Sequence, residues 1–143
     1  MTIFRDNEQA ALAEINGWGN NLLLRYRELA DIDARLQTDL HAIIDHRREL
    51  LRQVAACTLA RDDLPTAEDQ EMTQLKSLTD KFMDYFVGSD AMIMRVQDTE
   101  TDWLNRLKEL ANLDWNPSER ELLVQLQGDA EAAIQRLRAL LEQ

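Results

Sequence analysis

Two histidines occur in this chain, and each has a carboxylate at helical spacing. His41 and Asp45 lie four apart, and His46 and Glu49 three apart. On a helix each pair shares a face and offers two ligands to a metal ion. A di-iron site in a bundle core asks for a Glu from each of two helices and a Glu-x-x-His from each of two others. No Glu-x-x-His occurs here, and both histidines fall within one helical pattern. The expectation is therefore no metal and no cofactor, with a solvated His41 and a His46 edging the apolar seam. A ferritin-like metal-binding bundle is the alternative.

Nucleophilic and glycosidic chemistry need a positioned nucleophile or paired carboxylates in a pocket. The acidic residues fall on polar helical faces, and no Gly-x-Ser-x-Gly, Gly-rich phosphate loop or Cys-x-x-Cys occurs. Cys57, the one cysteine, sits in an apolar register and reads as a buried structural thiol. With no intrachain disulfide, the chain suits a reducing compartment. The expectation is a protein that is not an enzyme.

Recognition is the chemistry that remains. Between Phe82 and Val96 the apolar residues run nearly all round a helix, and such a helix must be covered on more than one side. Met83, Phe86, Val87 and Met94 are the candidate partner-binding residues, since methionines repack against varied surfaces. Trp103 and Trp115 are candidate aromatic anchors. The competing readings are that the chain's own third helix covers this stretch and that the tryptophans pack in the core.

The elements that would carry these residues are helices. From Ile15, steps of seven meet Leu22, Leu29, Leu36, Ile43, Leu50 and Cys57, all apolar, with Trp18, Tyr26, Ile32, Leu40 and Val54 beside them. This narrow seam is what a helix lays along a partner helix. Gly17 and Gly19 weaken the stretch by about 1 kcal/mol each. The register passes through them, which predicts one long helix over about 7–61; the alternative is a break near Gly19. Asp62 to Thr66 ends it, with Pro65 disfavouring helix at Leu64. Steps of seven from Leu75 meet Phe82, Ser89, Val96, Trp103 and Leu110, predicting a second long helix over about 67–113, with a bend at Gly88 as the alternative to a straight one. Each would be roughly 65–80 Å long.

Asp114 to Glu119 is the clearest boundary. Asn116 caps, Pro117 suits the first helical position, and Glu119 completes a capping box. A third helix follows over about 117–141, with a stripe from Leu122 to Leu141. It is about half as long as the others. The fold class expected is all-α: one domain over residues 1–143, a long antiparallel helical hairpin plus a shorter third helix. The bundle is complete alone or by dimerisation.

Composition narrows the partners. The 143 residues are 45% apolar, with four Gly and two Pro, and carry a net charge of −11. Phosphate contacts need clustered basic residues, so nucleic acid and anionic membrane are not expected partners. Residues 1–61 hold 8 basic and 9 acidic residues, whereas 62–115 hold 5 and 13, which predicts ion pairs between the first and second helices. No run approaches a membrane span and no signal-peptide core opens the chain, so the cytoplasm is the expected location.

Two long antiparallel helices with a shorter third, in a small acidic chain, resemble the flagellar export chaperones of the FlgN and FliT type. The local echo is Leu40-x-x-Ile43 followed by Arg47-x-x-Leu50-Leu51-x-x-Val54, and Leu78 to Leu107 has a similar cadence. Gln37 stands where some members carry Trp, and a capped third helix stands where the family has a mobile tail. The resemblance implies a cytosolic bacterial protein that binds the amphipathic helix of an export client without catalysis or cofactor. The partner expected is such a client helix or a second copy of the chain.

Overall fold

The computed structural model describes residues 5–64 and 67–142, with side chains given for all of these except 67–87. It is all-α, with no strand among the described residues. Helix α1 spans Asn7–Ile32, a single 3-10 turn Ala34–Leu36 follows, and α2 spans Gln37–Ala60. Helix α3 spans Ala67–Leu110 and α4 spans Pro117–Leu141.

The expected single helix over 7–61 is two helices. The chain leaves helical geometry at Asp33 (φ −131°, ψ 102°), not at Gly17 or Gly19, through which α1 is continuous. Asp33 closes one helix and starts the next turn. Its N–H donates to the Leu29 carbonyl at 3.0 Å, and its carboxylate accepts from the Arg35 N–H at 3.1 Å. A short acidic side chain that competes for backbone N–H groups favours such a cap over a helix interior. Hydrogen bonds from Arg35 hold the Asp33 carboxyl down at about 2, with a smaller contribution from Ser89. Reversal here also covers both apolar stripes within one chain, which a long bare hairpin would not do.

The heptad register survives the reversal. Ile15, Leu22, Leu29, Leu36, Ile43 and Leu50 are all buried, with Cys57 half-buried beside them. Gly19 marks the close approach of α1 to α2. A methyl group there would fall 2.5 Å from Leu51 Cδ2. The second long helix breaks at Gly88, whose φ of 84° and ψ of 172° suit glycine alone.

Four lengths of helix therefore make the bundle: α1, α2, residues 89–110 of α3, and α4. Neighbouring pairs are α1 with α2, α1 with α3, α3 with α4 and α2 with α4. Side-chain links set their directions. Ser89 Oγ donates to Asp33 at one end and Arg136 faces Asp39 there, while Arg61 pairs with Glu119 at the other end. Arg106 pairs with Glu14 at 2.5 Å nearer that second end. Each helix is thus antiparallel to both neighbours. Helix α2 and residues 89–110 run the same way, so residues 61–88 connect opposite ends of the bundle. This is a four-helix bundle with one long crossover connection. With 25 residues, α4 matches the 26 of α1 and the 24 of α2. The expectation of a third helix about half as long as the first is corrected, because the first long stretch is itself folded in two.

The second boundary is as expected. Glu119 N–H donates to Asn116 Oδ1 at 2.8 Å, Asn116 N–H donates to Glu119 Oε1 at 3.1 Å, and Pro117 opens α4. Helix α3 ends at Leu110 rather than near Leu113. There the Trp115 indole N–H takes the Leu110 carbonyl at 2.8 Å.

Candidate functional site

The helical stripes force four polar side chains into the bundle interior. On α2 the buried positions Leu40, Ile43, Ile44, Leu50, Leu51 and Val54 recur at three- and four-residue steps, and Arg47 falls among them. The same stepping carries Tyr26 inward on α1, Glu100 on α3 and Asp129 on α4. Each helix contributes one group. Arg47, Glu100 and Tyr26 are all 0% exposed.

Arg47 is the centre of the group. Its Nε donates to Asp129 Oδ2 at 2.5 Å and its Nη2 donates to Glu100 Oε2 at 3.1 Å. Its Nη1 lies 2.8 Å from Glu100 Oε1 without an aligned N–H, so that contact is coulombic rather than a hydrogen bond. Tyr26 donates its hydroxyl to Glu100 Oε1. The guanidinium carbon sits 4.5 Å from the centroid of the Trp103 ring, a stacking geometry that suits arginine. His46, mostly exposed, meets the other Asp129 oxygen through Nδ1 at 2.7 Å.

Burial and charge compete in this cluster. Burial alone would lower the Arg47 pKa, but the charges of Glu100 and Asp129, with the Glu100 hydrogen bond, more than offset it, so Arg47 stays a cation. Burial pushes the Glu100 carboxyl above its ordinary range, against the lowering effect of Arg47 and of the Tyr26 hydrogen bond. Burial, and then the Glu100 charge, raises Tyr26 well above 10.0 and keeps it a neutral donor. The cluster is an internal cation caged by two carboxylates and a phenol. Among the described residues no group of three or more His, Cys, Asp and Glu side chains could hold a metal ion. Neither histidine pair singled out in the sequence acts as a pair: His46 turns to Asp129, Glu49 pairs with Arg52, and His41 is exposed.

The partner-binding candidates are scattered. Trp103 and Trp115 are 1% and 3% exposed, so the reading of them as aromatic anchors for a partner is corrected. Trp103 stacks on Arg47 in the interior, whereas Trp115 caps α3 and lies 5.5 Å from Arg61 at the bundle end. Met94 stands on the surface at 57% exposure. The side chains of Met83, Phe86 and Val87 lie outside the described residues. Cys57 is half-buried. Burial raises its pKa, and the Glu119 charge raises it further against Arg61, so the thiol is not activated.

The sequence contained one signal for the buried cluster that the heptad count passed over. Arg47, Glu100 and Asp129 stand at core register on three different stripes, where a charged side chain needs a partner. No family model, curated protein or solved structure matches the chain.

Proposed function

We propose that this chain is a non-enzymatic helical binding module that holds an amphipathic helix of a client protein in the cytosol, in the manner of the export chaperones it resembles. One observation supports this above others: Arg47, Glu100, Asp129 and Tyr26, the groups whose chemistry most suits a reaction, are turned inward and spent on one another. Their arrangement builds a scaffold, and recognition is left to the exterior. Met94, more than half exposed on the bundle half of α3, is the surface apolar side chain best suited to a client helix.

Capture by the tagged full chain, read by mass spectrometry, tests the reading beside a variant with Met83, Val87 and Met94 all changed to Ser. One stoichiometric protein partner, lost in the folded variant, is the expected result. A secreted or flagellar client would support the chaperone reading in particular. Recovery of the bait alone, or a measurable turnover that needs Glu100 or Asp129, would overturn the proposal.

A further inference from the structure

We infer that the groove between α1 and α2 docks an acidic amphipathic helix of a partner protein. The inference rests on the protein-binding reading above and names the chemistry of the partner. Asn16, Asn20 and Arg27 of α1 and Arg48 and Arg52 of α2 rim a groove of about 320 Å³. Leu23 and Leu51 form its floor, and Gly19 draws the two helices together there.

Charge selects the partner. The chain carries a net −11, and its described arginines mostly face carboxylates of their own, as Arg5, Arg35, Arg47, Arg61 and Arg106 do. In the groove, Arg52 is paired with Glu49, but Arg27 and Arg48 make no ion pair or hydrogen bond among the described residues. Glu28 and Asp31 follow Arg27 on α1, and Asp45 and Glu49 lie beside Arg48 and Arg52; of these, Glu28 and Glu49 are already engaged. Two unengaged guanidinium forks on a negative surface attract carboxylates to this place and repel them elsewhere.

Shape selects a helix over a compact anion. From Asn16 to Arg27 the groove follows three turns of α1, about 16 Å. Carboxylates up to three turns apart on a partner helix span that rim, while an apolar side chain between them lies over the Leu23 and Leu51 floor. Asn20 already donates to Asn16, at 2.8 Å to its carbonyl and 3.0 Å to its side-chain oxygen. Its own carbonyl oxygen remains as an acceptor for a partner N–H.

The probe is a synthetic helical peptide of about four turns carrying Glu on both flanks of a Leu stripe, beside a twin with Gln at every Glu. Each is titrated calorimetrically into the full chain and into Arg27→Glu/Arg48→Glu. Both substituted residues are exposed, and circular dichroism confirms that the variant folds. The expected result is binding of the Glu peptide, about tenfold weaker for the Gln twin and for the variant, and weaker still with added salt. Equal binding of the two peptides, unchanged binding to the variant, or no binding of the Glu peptide overturns the inference. So does tighter binding of inorganic pyrophosphate, which marks a small-anion site. Self-association of the wild type that the variant abolishes also overturns it, since the occupant is then a second copy. A partner captured equally by Arg27→Glu/Arg48→Glu but lost with the Met94 variant sinks this inference and leaves the protein-binding reading standing.

Discussion

Replacing Arg47 by Ala leaves Glu100 and Asp129 facing one another in the bundle interior with no cation between them. Both side chains are nearly or wholly out of water, at 0% and 5% exposure. Removing one partner of a buried ion pair costs about 3–5 kcal/mol, and the lost stacking on Trp103 adds about 0.5–2 kcal/mol. A domain of this kind has about 5–15 kcal/mol in all, so Arg47→Ala is expected to bring the bundle close to unfolding at neutral pH. The whole cluster made apolar, with Tyr26→Phe, Arg47→Met, Glu100→Leu and Asp129→Leu, is expected to lie within about 2 kcal/mol of wild type, because it removes the desolvation cost along with the attraction. The pH dependence has a definite sign. Glu100 is raised by burial and held back by Arg47, so without Arg47 its folded pKa climbs further. A group with a raised folded pKa contributes stability that is present below its unfolded pKa and lost as pH rises through the folded value. The deficit of Arg47→Ala should therefore be smaller at about pH 5 than at about pH 8. Urea denaturation followed by far-UV circular dichroism at both values measures it. A loss under about 1 kcal/mol, or a deficit that grows on acidification, would refute the reasoning.

Three further outcomes are expected. Spectrophotometric titration of the native protein should ionise at most one of its two tyrosines, Tyr26 releasing its proton only as the chain unfolds, and Tyr26→Phe should cost about 1–3 kcal/mol in urea. Gly17→Ala, with open space around it in a helix, should gain about 0.5–1 kcal/mol in thermal denaturation, whereas Gly88→Ala, at positive φ, should lose about 1–3 kcal/mol. Glu119 is held below its ordinary 4.5, chiefly by the Arg61 hydrogen bonds, so its contribution is present above that value and lost as pH falls through the lower folded one. Glu119→Gln should cost about 1 kcal/mol at neutral pH, with the gap to wild type closing below about pH 4.

Much of the fold was written in the apolar periodicity, because burial depends on spacing and spacing is visible. Ile15 through Leu50 are buried as the register requires, and Asn116, Pro117 and Glu119 form the expected cap. The reversal at Asp33 was hidden because the two arms of the turn keep the same seven-residue phase. Leu29 and Leu36 are both buried on either side of it, and neither Gly nor Pro marks the place. Gly17 and Gly19 drew attention instead, yet α1 passes through both and Gly19 serves to let Leu51 approach. Ion pairs occur between the two stretches expected to form the first and second helices, as Arg47 with Glu100 and, with the charges the other way round, Glu14 with Arg106. The first of them is buried rather than surface-exposed, since Arg47 sits at core register. A heptad count scores a charged residue there as a flank and cannot see that Tyr26, Glu100 and Asp129 wait across the core. The aromatic anchors failed for a related reason: large rings at core spacing fill the core, and Trp115 is also needed as a helix cap.

Both the caged arginine and the α1–α2 groove exist only if the chain reverses at Asp33. Spin labels at Asn20→Cys and Arg52→Cys, in a Cys57→Ser background, measure that directly by double electron–electron resonance. The two positions line the same groove, so a single distance under about 20 Å is expected, two helix diameters at most. A distance near 48 Å, the length of about 32 residues of unbroken helix, would contradict the fold and everything built on it.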